Sequence, residues 1–139
     1  MELILPWDKA SGYIEGVLKN LPPHLMAGGH TLLWPCRGTA SNVPMFMHPQ
    51  GDYVMGFGIL PAVPRQLVPM ALALLNRASD LGMQIGGKRY LSGWVEFGHS
   101  KWKAHFENQW EKVLQCKEFY DPRSVLNPGF VHYRPSDRS

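Results

Sequence analysis

The chain has 139 residues, 45% of them hydrophobic and 18% charged, with a net charge of +3. That length predicts one domain with its own core, and the charged fraction falls below the roughly 25% usual for soluble domains. The Lys and Arg residues are scattered and form no stripe, and the longest apolar stretch, residues 67–75, is interrupted by Pro69. A nucleic-acid surface and a membrane span are therefore not expected.

Residues 2–6 read as a short strand, and Asp8 can then cap a helix over residues 9–21. Its apolar face is Ala10, Ile14, Val17, Leu18 and Leu21, and Pro22-Pro23 ends it. Residues 31–36 read as a strand whose Pro35 suits a sheet edge. Residues 38–51 form a long loop, made unusually apolar by Met45-Phe46-Met47. Over residues 52–60, bulky Tyr53, Met55, Phe57 and Ile59 alternate with Val54, Gly56, Gly58 and Leu60. That strand has one nearly bare face, which a helix or another backbone can approach closely.

A helix over residues 65–81 follows, with Leu67, Ala71, Leu74, Leu75 and Ala78 inward and a stop at Gly82. Residues 87–92 read as the fourth strand. Residues 100–120 read as one long helix, with Trp102, Phe106, Trp110, Val113, Lys117 and Tyr120 at helical spacing and Asp121-Pro122 as the stop. The order β-α-β-β-α-β predicts an α+β fold, a ferredoxin-like antiparallel sheet over residues 1–99. A C-terminal helix (100–121) and a tail (122–139) are added to it.

Several chemical motifs fail on context. G-M-Q-I-G-G-K-R, residues 82–89, nearly spells a phosphate loop, but a helix precedes it, a strand follows, and Arg89 stands where magnesium needs a hydroxyl. M-G-F-G-I-L, residues 55–60, echoes an RNA-recognition strand but lacks its basic first position and later aromatics. The six histidines show no metal-ligand spacing, and no serine has a nucleophile-elbow context. Cys36 and Cys116 stand apart, and Met1-Glu2-Leu3 lacks the basic opening of a leader. Reduced thiols and a cytoplasmic setting are expected.

Residues 102–129, W-K-A-H-F-E-N-Q-W-E-K-V-L-Q-C-K-E-F-Y-D-P-R-S-V-L-N-P-G, carry the most specific pattern. The segment resembles the close of flavin-linked oxidases of the vanillyl-alcohol-oxidase type, nearest to cytokinin dehydrogenases. One residue fewer separates Phe106 from Trp110 than that family has. G-K-R-Y-L-S-G-W, residues 87–94, is similar to the family's K-x-Y-L strand. L-P-W-D-K, T-L-L-W-P-C and D-Y-V-M-G-F-G resemble earlier pieces of the same substrate-binding cap.

In that family the tyrosine lies by the flavin and the leucine packs on the flat face of the substrate. The resemblance thus implies a substrate site at Tyr90, Leu91 and Trp94. It also implies flavin contacts at Tyr90, Asn127, Pro128 and Gly129, with FAD as cofactor of the complete enzyme and a small planar substrate. Read from the residues alone, an ordinary inner strand with Tyr90 or Leu91 in the core is the favoured reading. The family's dinucleotide loop, flavin-attachment histidine and catalytic acid have no counterpart in these residues, and Phe130 stands where the plant enzymes carry Gln.

The implied role is the cap of an FAD-dependent oxidoreductase that oxidises an amine or alcohol C–H bond. No catalytic residue and no metal ligand is assigned to this chain. It is expected to be inactive alone, to bind free FAD weakly or not at all, and to need a separate flavin-binding domain or subunit. The alternative is a free-standing ferredoxin-like module that binds a small ligand or self-associates. As an isolated cap the chain is expected to form a homo-oligomer, burying Tyr90, Leu91, Trp94 and Phe130-Val131.

Overall fold

Four strands carry the first part of the chain: Glu2–Pro6 (β1), His30–Arg37 (β2), Tyr53–Leu60 (β3) and Lys88–Arg89 (β4). They form one sheet in the order β2-β3-β1-β4, and every neighbouring pair is antiparallel. β3 lies between β1 and β2, and β1 between β3 and β4, so each helical crossover leaves a gap that a third strand fills. β2 is an edge strand, which is why Pro35 is tolerated within it. The computed structural model describes residues 1–38, 43, 45–92 and 94–126. The chain divides into two compact units, Met1–Trp94 and Val95–Ser139.

Alternation along the strands separates two faces. Leu3, Leu5, Phe57 and Ile59 point to the same side and are fully buried. Helix Trp7–Lys19 (α1) and helix Val68–Gln84 (α2) cover that side, adding Ala10 and Leu75 to the same core. The Tyr13 hydroxyl donates to the Ala78 carbonyl oxygen at 2.6 Å, joining the two helices. Burial holds that hydroxyl well above the ordinary phenol range, with Arg89 opposing the shift. The sheet and both helices therefore agree with the expected α+β fold.

Local details differ from expectation. α1 begins at Trp7, with Pro6 at the cap position and no side-chain cap bond. Asp8 lies instead in the first turn, where its charge favours the helix dipole. α2 runs through Gly82 to Gln84. Gly82 serves close packing, since a Cβ there would sit 2.5 Å from Leu3 Cδ1. The real stop is Gly86, at φ +93°. The Gly87 amide donates to Gly82 O at 2.9 Å and the Gly86 amide to Met83 O at 3.0 Å, the paired closure of a Schellman turn. Residues 82–89 are thus a helix stop leading into β4, the helix-then-strand context that speaks against a phosphate loop.

In the second unit the single long helix is two: His99–Phe106 (α3) and Trp110–Tyr120 (α4), parted by a 3-10 turn at Glu107–Gln109. Glu107 has φ +49°, which a continuous helix cannot contain. Trp102, Phe106 and Trp110 remain buried in a row, with their rings stacked pairwise 5.9 and 6.2 Å apart. Buried His105 packs edge-on to Phe97 and Phe106. Among the described residues no helix is long and apolar enough to cross a membrane.

Candidate functional site

The second face of the sheet carries the residues of interest. Gly56 and Gly58 of β3 alternate with Phe57 and Ile59, so their bare side turns away from the helices. Trp34 of β2 pairs directly with Gly56, and its indole lies across the vacant position. A Cβ at residue 56 would sit 2.0 Å from the ring. The bare face thus receives a neighbouring strand's side chain, where a helix or backbone was expected.

Tyr90 stands on the same face. Its ring meets Trp34 edge-on at 6.1 Å between centroids and Phe46 edge-on at 5.9 Å. Phe46 comes from the apolar loop, with His48 beside it at 6.1 Å and His48 Nδ1 2.9 Å from Pro49 O. Tyr90 remains 37% exposed, so its ring is flanked but not enclosed. Trp34, Phe46 and Tyr90 form a rim of three aromatic edges, a surface suited to a flat ligand.

β4 is shorter than expected, Lys88–Arg89 only, and Tyr90 is the point where the chain leaves the ladder. Glu2 controls that departure. Its carbonyl oxygen accepts the Tyr90 amide at 3.1 Å and Arg89 Nη1 at 3.0 Å, while its carboxylate accepts the Ser92 hydroxyl. Arg89 Nη2 reaches forward to the Trp94 carbonyl oxygen at 2.8 Å. Buried Arg89 thus ties the Glu2 backbone to the Trp94 backbone across the end of β4. Desolvation lowers its pKa from the ordinary guanidinium value, opposed by Glu2 and Tyr13.

Of the residues expected at the substrate, Tyr90 is on the aromatic rim, Leu91 follows it partly buried, and Trp94 is 42% exposed. The ring neighbours of Tyr90 among the described residues are Trp34 and Phe46, both missed from the sequence. The signals were present as an apolar loop and a pair of strand glycines, but nothing in the sequence joined them to Tyr90. Asn127, Pro128, Gly129 and the Phe130-Val131 segment lie outside the described residues.

The second unit holds its own polar clamp. Asp121, expected only as a helix stop, is buried and pairs with Lys117. Its carboxylate accepts the Val125 amide at 2.8 Å and the Leu126 amide at 2.9 Å, while Lys117 Nζ donates to Leu126 O at 2.7 Å. The Lys117 contact, aided by the two amides, holds the carboxyl below its ordinary pKa. This clamp sets the direction in which the chain leaves α4.

Helices on one sheet face and an aromatic rim on the other define an α+β binding domain. The family described as "Cytokinin dehydrogenase 1, FAD and cytokinin binding" matches residues 1–132. Cytokinin dehydrogenase 10 of Oryza sativa subsp. japonica is 30% identical over 137 residues, covering 91% of this chain and 23% of that protein. Cytokinin dehydrogenase 2 of Arabidopsis thaliana is 27% identical over 138 residues, covering 93% of this chain and 26% of that protein. The chain belongs to the FAD- and cytokinin-binding family of cytokinin dehydrogenases. It spans about a quarter of the length of these curated relatives.

Proposed function

We propose that this chain is the substrate-binding cap of an FAD-dependent amine oxidoreductase, with the ligand seated on the aromatic rim around Tyr90. The observation that carries the reading is the meeting of Trp34, Phe46 and Tyr90 on the sheet face opposite α1 and α2. Family membership adds the class of ligand, a planar heteroaromatic amine of the cytokinin type. Tyr90 and Leu91 bear on its flat face, Trp34 and Phe46 hold its edges, and Trp94 closes one side. Glu2, through the Tyr90 amide, Arg89 and Ser92, positions that wall without touching the ligand.

The described residues fit the ring end of a flavin, as an aromatic surface with a phenol hydroxyl, and offer no glycine-rich turn opening a helix for a pyrophosphate. Tyr90 would contribute to holding that end, and the rest of the dinucleotide belongs to a flavin-binding domain or subunit beyond these 139 residues. When bound, the flavin supplies hydride acceptance from a C–H bond next to nitrogen. The chain's own residues bind, orient and exclude water. Alone, it is inactive.

The test is a titration of the isotope-labelled chain with a cytokinin, followed by amide shifts. Shifts centred on Tyr90, Leu91 and the strand around Trp34, abolished by Tyr90→Ala, are expected. Shifts confined to the helix side of the sheet would refute the reading. A parallel absorbance titration with FAD should give no stoichiometric yellow complex.

A further inference from the structure

We propose that the groove between α1 and α2, on the opposite side of the sheet from Tyr90, is a second ligand site for an amphipathic monoanion: a flat apolar body bearing one carboxylate. This site does not depend on the cap reading.

The groove is partly open to solvent and offers a volume of about 710 Å³. Small-molecule sites span roughly 300–1,000 Å³. Its width comes from two missing side chains. Gly12 and Gly16 lie one turn apart on α1 and both line the groove, and a Cβ built on either meets nothing within 4 Å. The space above them is therefore unfilled by the atoms of the described residues. The helices cannot simply close over it, because two contacts set their spacing: Tyr13 Oη to Ala78 O at 2.6 Å, and Lys9 Nζ to Ile85 O at 3.3 Å.

The lining selects the ligand. Val17, Leu74 and Leu81 supply apolar wall, and the charged side chains in the lining are Lys9 and Arg77, with no carboxylate among them. An apolar slot with cations at its wall favours a molecule that buries a hydrocarbon body and presents one anion. Lys9 uses one donor on Ile85, and an ammonium has three. Arg77 adds a planar fork that matches a carboxylate. A folded partner is a poorer fit, since a specific protein contact buries above about 1,000 Å² and this groove is small-molecule sized.

The experiment uses the labelled 139-residue chain and naphthalene-2-carboxylate, with the neutral naphthalene-2-carboxamide as isostere. Saturable amide shifts are expected at Gly12, Gly16, Arg77 and Leu81, with the amide binding about tenfold more weakly, the loss of one charge-assisted contact. The double variant Lys9→Gln with Arg77→Gln should weaken the carboxylate by about tenfold and leave the amide unchanged. Gly16→Leu should fill the slot and remove binding of both. Should Gly16→Leu not fold, the charge variant decides. No saturable binding, equal affinity for acid and amide, or shifts centred on Tyr90 and Trp34 would each overturn the site. Such a failure leaves the proposal for Tyr90 intact, because the two sites lie on opposite faces of the sheet.

Discussion

The indole of Trp34 occupies the place where residue 56 would carry a side chain, and the glycine at 56 is what permits it. Tyr90 then leans its ring edge-on against that indole. The chain thus uses an absent side chain in its central strand to seat a large one from the edge strand.

Gly56→Ala tests this arrangement. The added Cβ falls 2.0 Å from the ring, so Trp34 must swing out. Overpacking of this kind costs about 1–3 kcal/mol. Urea unfolding should show that loss, and near-ultraviolet dichroism should show a changed aromatic environment. By contrast, Gly12→Ala lies on a helix where its Cβ meets nothing, and should gain up to about 1 kcal/mol. Equal stability for both variants would mean that Trp34 is not held where the structure has it.

Gly86 closes α2 at φ +93°, a conformation in which a side chain is strained. Gly86→Ala should lose about 1–2 kcal/mol and raise hydrogen exchange at the Gly86 and Gly87 amides. Unchanged stability and unchanged exchange would show that the helix ends in some other way.

The Asp121 clamp makes the end of α4 sensitive to acid. Its carboxyl has a lowered pKa in the folded chain, chiefly through Lys117 and then the Val125 and Leu126 amides. A group with a depressed folded pKa contributes stability that is complete above its unfolded value and is lost as pH falls through the folded one. The 121–126 turn should therefore hold above about pH 5 and loosen below about pH 4. A carboxyl-carbon titration should place the Asp121 midpoint below that of an ordinary aspartate. Asp121→Asn should remove the low-pH change in the Val125 and Leu126 amides.

Tyr90 is 37% and the nearby-in-sequence Trp94 42% exposed, and exposed apolar residues of this kind favour association where they are contiguous. The isolated chain is expected to associate through them, as a two-fold dimer. Light scattering after size exclusion should find Leu91→Glu and Trp94→Glu monomeric at concentrations where the native chain is dimeric. A native chain that stays monomeric at high concentration removes this expectation.

Much of the fold was legible because its signals are local. The alternation of Tyr53, Met55, Phe57 and Ile59 marks a strand whatever its neighbours are, and Ala71, Leu75 and Ala78 mark a helix face by spacing alone. Boundaries were less legible. Gly82 looks like a helix stop, yet it is a contact surface for Leu3. The last helix looks continuous by its aromatic spacing, yet Glu107 breaks it in a backbone conformation that no apolar pattern reports.

The sequence by itself determined the order of the strands and first two helices and the α+β class, since period and turn residues lie along the chain. Only the tertiary structure decided what Tyr90 faces. Trp34 and Phe46 reach it because the β2–β3 register sets Trp34 against Gly56 and the loop ahead of β3 brings Phe46 to the same rim. The groove between the helices was equally invisible, because Gly12 and Gly16 read as weak points of a helix until the second helix stands opposite them. Pairing register and helix spacing are agreements between distant segments, and no window of sequence contains both partners.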